Sequence, residues 1–327
     1  MSWSALWGHH TVKKTLLEAV EKARIGHAYI FEGQAGVGKM TAANLFAREI
    51  VGCPEGMKEH PDIITVTNAR FDEKGGNTLS IDTVRAMKRD VYIRPFLSER
   101  KVYIIPDADR MLPVAQNGLL KVFEEPPPYC TILLLTENAN VLLETIRSRA
   151  VHIRFYPLET QTVAEYLLNR GIEEKRARVL AVMSGGSIGR ALELLDDDAA
   201  VGLREEVIGG ILSLSSGGNK SGYDLIKYMK RNKGEMEMIL SCLEGWFSDV
   251  LRYKTAGGQI SPVNIDKMTE IERFSGLITQ SAAYQLCEIT VKYRQMIKQN
   301  ANFPIAVLCM VMDFEEAIHG RNYRSTI

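Results

Sequence analysis

Closely spaced cysteines are absent from this sequence. Its five cysteines are scattered over 327 residues, their number is odd, and none belongs to a C-x-x-C pair. This distribution argues against a disulfide scaffold and favours a reducing compartment. Cys53 and His60 flank a short segment, but two ligands do not make a tetrahedral zinc site. We therefore predict no bound zinc.

An excess of charge and a long apolar run are also missing. Lys plus Arg and Asp plus Glu number 40 each, so the formal net charge is zero. A free-standing nucleic-acid-binding protein usually carries a basic excess. No apolar run is long enough to span a bilayer, and the first residues do not resemble a signal peptide. We expect a cytoplasmic chain that contacts no membrane and binds DNA weakly by itself, although a local basic face inside a complex stays open.

One oxygen ligand is missing from an otherwise complete phosphate-binding loop. Residues 33–41 follow the pattern G-x-x-x-x-G-K-[ST], except that Met40 stands at the hydroxyl position. The glycines let backbone N–H groups surround phosphates, and the lysine neutralises their charge. A thioether cannot replace a hard oxygen ligand of Mg²⁺. We predict a degenerate P-loop that can bind ATP or ADP and hydrolyses it poorly or not at all. The predicted nucleotide-binding residues here are Gly33, Gly36, Gly38, Lys39 and Thr41.

Apolar runs and amphipathic stretches alternate in the first half of the chain, and strand patterns stop after Pro157. Buried strands that alternate with helices predict a parallel α/β sheet whose ligands bind at the carboxyl ends of the strands. The Ser- and Gly-rich segment Ser213–Gly222 is typical of a linker. We therefore predict a P-loop α/β domain over residues 1–157, a three-helix lid over 158–212 and an all-helical C-terminal domain over 213–327. The predicted strands after the loop helix are Ile63–Thr67, Val102–Ile105, Ile132–Leu135 and Val151–Phe155.

The position of the acidic residue that would help bind magnesium is ambiguous. In P-loop ATPases a buried strand ends in an acid that reaches the magnesium shell. In one register Pro106 takes that position, so both metal positions, Met40 and Pro106, lack an oxygen side chain and the site is degenerate. In a slipped register Asp107 takes the metal role. A strand that ends in an ordinary polar turn fits the same residues.

Two arginines stand in places where ATPases of this class use them. Arg149, in the turn Thr145–Ala150, could reach a γ-phosphate on a neighbouring subunit as an arginine finger. By pattern alone, two arginines in a turn are more often solvated surface residues. Arg190 opens a helix after Gly185-Gly186 and could contact a nucleotide, but a capped helix with an exposed arginine fits as well.

Longer motifs resemble the bacterial clamp-loader AAA+ proteins of DNA polymerase III, most closely the delta-prime type. They are His27–Gly33, which leads into the loop, His60-Pro61-Asp62 before a strand, and Ala115–Pro126. The family's Ser-Arg-Cys motif is present as Ser148-Arg149-Ala150. Gly118 is a departure, because the family has Ala there.

The resemblance implies roles for individual residues. Arg149 would be the finger that reaches ATP on the adjacent motor subunit, Thr136 and Asn138 would form the first sensor region, and Arg190 the second. The C-terminal helices would form the collar of a pentameric ring. Only Cys53 remains where the family often has a four-cysteine zinc module, which again implies no zinc.

The implied partners are the motor (gamma/tau) and delta subunits, the sliding clamp, and primer-template DNA reached through the complex. The leading hypothesis is a delta-prime-like subunit without productive ATP hydrolysis. The alternative is an ATP-hydrolysing AAA+ motor in which Thr41 and Asp107 or Asp109 bind the metal. A small-molecule P-loop kinase fits the loop, but it leaves the Ser148-Arg149 turn and the helical C-terminal third unexplained.

Overall fold

The chain forms two compact units, Met1–Leu158 and Glu159–Ile327, in a computed structural model. In the part of the chain that the structure describes, no helix is long and apolar enough to cross a membrane. The described residues are 2–67, 81–196, 198–217, 221–258, 262–299 and 301–320.

A parallel sheet with strand order β2-β3-β4-β1-β5 forms the centre of the first unit. β3 and β4 are buried along their whole length, as expected for a parallel sheet covered on both faces. The predicted P-loop α/β class is confirmed. The strands are β1 (Ala28–Glu32), β2 (Ile63–Thr65), β3 (Lys101–Ile105), β4 (Cys130–Thr136) and β5 (Val151–Arg154).

Alternate residues of the strands supply two hydrophobic cores, one on each face of the sheet. In β3, Val102 and Ile104 pack into the core under α1 (His10–Glu21) and α2 (Lys39–Ile50). Tyr103 faces the opposite core, beneath the helices that follow β2 and β3. The helices on that side are α3 (Ile81–Val91) and α4 (Pro113–Glu124), and the short helix α5 (Glu144–Arg147) follows β4.

Helices make up the secondary structure of the second unit in its described residues. Helix α11 (Met236–Thr255) is its buried centre: Trp246 packs on Phe274 with ring centroids 6.1 Å apart, and Phe247 on Phe314 at 5.3 Å. These aromatic residues therefore form a packing stripe. The helices are α6 (Thr160–Asn169), α7 (Glu174–Met183), α8 (Ile188–Glu193), α9 (Asp198–Ser215), α10 (Ser221–Arg231), α11 (Met236–Thr255), α12 (Met268–Leu277), α13 (Gln280–Lys298) and α14 (Phe303–His319).

The predicted linker Ser213–Gly222 is wrong at both of its ends, which are helical. Helix α9 continues to Ser215 and α10 begins at Ser221, while residues 218–220 lie outside the described residues. The Ser213 hydroxyl donates to the Gly209 carbonyl at 2.9 Å, within the same helix. Composition failed here because serine hydroxyls can bond back to helical carbonyls and because buried apolar residues of α9 hold it in the core. The boundary proposed after residue 212 falls inside α9, and the division into lid and collar stays a prediction.

Candidate functional site

The carboxyl ends of three neighbouring strands bring the predicted site residues together. The P-loop follows β1, Pro106-Asp107 follows β3, and Glu137-Asn138 follows β4. The Gly33 N–H donates to the Thr136 carbonyl at 3.1 Å, so the loop begins in direct contact with the end of β4. This edge of a parallel sheet is where such folds bind their ligands.

The glycines of the loop are required by its backbone. Gly36 and Gly38 have φ angles of 68° and 114°, in the region that favours glycine. A Cβ on Gly33 would lie 2.4 Å from the Phe155 carbonyl oxygen. The loop therefore has the tight, side-chain-free backbone that allows N–H groups to approach a phosphate.

Lys39 folds back over the loop at the start of α2. Its ammonium donates to the carbonyl of Gly33 and, at 2.8 Å, to that of Gln34. Burial lowers the pKa of Lys39, while the carboxylates of Glu137, Asp109 and Asp107 act in the opposite direction. The only basic group of the loop thus faces several carboxylates, which would repel a triphosphate that carried no cation.

The residues at the expected magnesium-binding positions do not match those of an ATPase with a complete set of metal ligands. Met40 lies in the first turn of α2 with 38% of its surface exposed, and its thioether offers no hard oxygen ligand. Asp107 lies in a left-handed turn after β3 and faces the Arg110 guanidinium at 3.9 Å. Among the described residues, no group of three or more His, Cys, Asp or Glu side chains is arranged to hold a metal ion. The loop fits a nucleotide phosphate better than it fits a magnesium ion.

Arg149 lies beyond α5, at the surface of the first unit. Its Nη1 donates to the Thr145 carbonyl at 3.0 Å, and its Nη2 lies 3.8 Å from Oε1 of Glu124. The side chain is 40% exposed, so part of the guanidinium remains accessible to another molecule.

Gln116, which the sequence reasoning missed, positions the start of this helix. Its buried amide donates to the carbonyls of Met111 and Val141 at 3.0 and 3.3 Å and accepts the Leu143 N–H at 2.8 Å. Leu143 is the residue before α5, so this side chain connects the turn after β3 to the short helix that precedes Arg149. No local pattern identifies this role, because the partners lie up to 27 residues away.

Known proteins match the chain over this unit and beyond. A family model described as DNA polymerase III, delta subunit, matches residues 8–159. The delta' subunit of DNA polymerase III from Bacillus subtilis is 33% identical over 212 residues, which cover 60% of this chain and 62% of that protein. The tau subunit of the same organism is 28% identical over 327 aligned residues, covering 89% of this chain and 57% of that protein. The chain is thus similar to subunits of DNA polymerase III over its first unit and beyond.

The predicted resemblance to clamp-loader subunits with an AAA+ P-loop is thereby confirmed. The chain spans about three fifths of the length of the two relatives. Among solved structures, a gamma subunit-related protein of DNA polymerase III from Thermotoga maritima aligns with 18% identity and a TM-score of 0.39, covering 93% of this chain and 99% of that one.

The residues of the two predicted sensor regions make contacts within the chain. Thr136 Oγ1 accepts the Asn138 N–H at 3.1 Å, and Asn138 Oδ1 accepts the Asn140 N–H at 3.0 Å. Arg190, in the second unit, pairs with Glu235 at 2.9 Å and with Glu193 at 3.3 Å. Their roles toward nucleotide stay predictions.

Two further side chains next to the loop were missed. His9 directly precedes α1; its Nε2 lies 2.9 Å from the Val37 carbonyl oxygen, and its ring packs against Phe155. Glu32, the last residue of β1, accepts the Ala139 N–H at 2.9 Å. Both contacts join distant segments to the P-loop, which a sequence pattern does not reveal.

Proposed function

We propose that this chain is a delta-prime-like subunit of the clamp loader, which helps load the sliding clamp onto primed DNA during replication. In this role it acts on the ATP of a neighbouring motor subunit through Arg149 and contributes little hydrolysis of its own. The observation that carries the proposal is the partly exposed guanidinium of Arg149, directly after the short helix α5 whose start Gln116 holds in place. Such a finger stabilises the charge that develops during phosphoryl transfer.

Weak hydrolysis is supported by the P-loop itself. A bound ATP or ADP would be held by the loop backbone from Gly33 to Gly38, by Lys39 and by Thr41, and Mg²⁺ would supply the charge neutralisation that hydrolysis needs. Met40 occupies the position of the hydroxyl ligand, and Asp107 is turned toward Arg110. The residues present therefore favour binding over cleavage.

The proposed partners are the gamma/tau and delta subunits, the sliding clamp and, through the complex, primer-template DNA, all in the cytoplasm. One surface of the first unit supports contact with a protein. Residues 92–97, called the apolar segment below, expose four large apolar side chains, and Phe96 is 82% exposed. Exposed apolar clusters of this kind mark interaction sites. We assign the clamp to this segment.

The basic residues around the apolar segment indicate what its partner looks like. Arg94 is exposed within it, and Arg89 is exposed and Lys88 half-buried on the preceding helix. A partner with an apolar depression bordered by carboxylates would complement this surface. Loss of clamp binding by Phe96→Ala is the expected consequence.

The finger is tested with Arg149→Ala in a loader reconstituted from all of its subunits. We expect ATP turnover at the neighbouring site to fall by roughly three orders of magnitude, the low end of what arginine fingers contribute. Arg85→Ala is the matched control, because Arg85 is an exposed arginine of the same unit that pairs only with Asp82 in its own helix. Unchanged turnover with Arg149→Ala would refute the finger role.

The alternative, a gamma/tau-like motor, is favoured by one observation: the tau relative aligns with 89% of this chain. Single-turnover hydrolysis of Mg·ATP by the purified chain separates the two, with Lys39→Ala as the blank. Turnover no higher than the blank is expected. Clear turnover would identify this chain as a motor in which Thr41 and a nearby aspartate serve the metal.

A further inference from the structure

The carboxylate of Asp62 binds the backbone of the apolar segment directly. Its Oδ1 accepts the Phe96 N–H at 2.6 Å, and its Oδ2 accepts the N–H groups of Leu97 and Ser98 at 2.8 and 2.9 Å. The Ser98 hydroxyl lies 3.0 Å from the same Oδ2. Asp62 itself is 1% exposed. One buried carboxylate thus fixes three consecutive peptide groups that are 34 to 36 residues away.

A second carboxylate fixes the other end of the segment. Asp90, near the end of α3, accepts the Tyr103 hydroxyl at 2.6 Å and pairs with the buried Lys101 ammonium at 2.9 Å. Its carbonyl accepts the Ile93 N–H at 3.0 Å. Because Lys101 and Tyr103 belong to β3, the segment is attached to the sheet at this end as well.

The result is an unusual division of polar and apolar groups. The N–H groups of Phe96 and Leu97 point inward to the buried Asp62 carboxylate, while the apolar side chains of the segment face solvent. Removing a carboxylate from water is costly unless its lone pairs are satisfied, and a loop that served only as a connection would bond to water instead. The internal anchors are therefore consistent with a segment held in one conformation for binding.

We propose that Asp62 is a positioning residue that preorganises the apolar segment for docking to a partner protein with an apolar, carboxylate-bordered depression. This inference rests on the proposed function, which assigns the clamp to that surface. It also accounts for the motif His60-Pro61-Asp62. His60 Nδ1 accepts the Asp62 N–H at 3.2 Å, and the Asp62 carbonyl accepts the Val102 N–H at 2.8 Å, so the motif holds the carboxylate in place at the edge of the sheet.

Asp62→Asn tests the proposal, because asparagine has the same shape but puts an NH₂ group or an uncharged oxygen where the carboxylate meets four donors. Two quantities are measured on the full chain: amide hydrogen exchange of residues 96–98, and the dissociation constant for the purified sliding clamp, with the reconstituted loader as a second format. We expect faster exchange at these amides and an affinity lower by about tenfold, since the partner must then order the segment.

Three variants complete the comparison. Phe96→Ala should weaken binding while the amides of residues 97 and 98 stay protected. Glu59→Gln removes an exposed carboxylate three residues from Asp62 and should change neither quantity. Ser98→Ala removes a single donor and should weaken binding by about threefold through the same loss of order, so it carries the test if Asp62→Asn does not fold.

The outcomes separate the two proposals. Fast exchange in Asp62→Asn with unchanged clamp affinity, while Phe96→Ala loses binding, would overturn the positioning role and leave the surface assignment standing. Full clamp affinity in Phe96→Ala would overturn the surface assignment, and the positioning role with it. Weakened binding in both variants, with exchange raised only in Asp62→Asn, supports both.

Discussion

Replacing Gln116 with leucine should release α5, the short helix that precedes Arg149, from the rest of the first unit. The leucine side chain has a similar volume but no polar atoms, so the carbonyls of Met111 and Val141 and the N–H of Leu143 lose their partner. An orphaned buried polar group costs about 1–3 kcal/mol. Because two of these three groups are only partly buried, we expect a total loss of about 2 kcal/mol, within the range of that principle.

For a unit of about this size, a loss of 2 kcal/mol lowers the melting temperature by roughly 4–8 °C. Thermal unfolding of the full chain measures this shift, and hydrogen exchange at Leu143 locates it. Gln161→Leu is the control, since Gln161 is exposed and contacts only Glu165 in its own helix; its effect should stay within about 0.5 kcal/mol. A shift below about 1 °C with unchanged exchange at Leu143 would refute the reasoning.

Three further changes test other parts of the structure. Gly33→Ala places a Cβ 2.4 Å from the Phe155 carbonyl oxygen, so the loop or β5 must move; we expect lost nucleotide binding and a melting temperature lower by several degrees, roughly as for overpacking of about 1–3 kcal/mol. Arg204→Met removes a buried guanidinium that binds both Asp266 oxygens at 2.8 Å, and denaturant unfolding should show a loss of about 3 kcal/mol. Burial would raise the pKa of Asp62, but the hydrogen bonds that its carboxylate accepts hold this pKa below the ordinary value. The carboxylate therefore stabilises the fold above the unfolded-state pKa, and this stabilisation is lost as the pH falls through the folded-state pKa. Below about pH 4, the free energy of unfolding should fall more steeply in the native chain than in Asp62→Asn.

Matched changes show whether these effects are specific. Gly202→Ala meets nothing within 4 Å in a helix, so it should stabilise the chain by up to about 1 kcal/mol rather than strain it. Arg85→Met removes an exposed arginine with one ion pair in its own helix and should change stability by less than about 0.5 kcal/mol. A loss of equal size in Arg85→Met and Arg204→Met would show that the Asp266 pair is not the cause. Equal acid sensitivity in Asp62→Asn and the native chain would show that the Asp62 carboxylate is not the cause of the pH dependence.

The sequence alone determined the class of the first unit and the position of its P-loop. Both follow from local rules: buried parallel strands are continuous apolar runs, and a loop that surrounds phosphates needs glycine at fixed positions followed by lysine. The departure at Met40 was likewise visible without a structure, because metal ligation depends on the identity of one side chain. Composition failed at Ser213–Gly222, where tertiary packing of α9 overrode the Ser and Gly content.

Tertiary structure decided which side chains support these local elements. The Asp62 carboxylate binds the backbone of Phe96, which is 34 residues away in the sequence. The Gln116 amide binds the backbone of Leu143, which is 27 residues away. Hydrogen bonds over such distances depend on how strands and helices pack, and neither periodicity nor spacing in the sequence encodes them. The same holds for Arg149, whose type suggested a finger, while its exposure and its single hydrogen bond to the Thr145 carbonyl came from the fold.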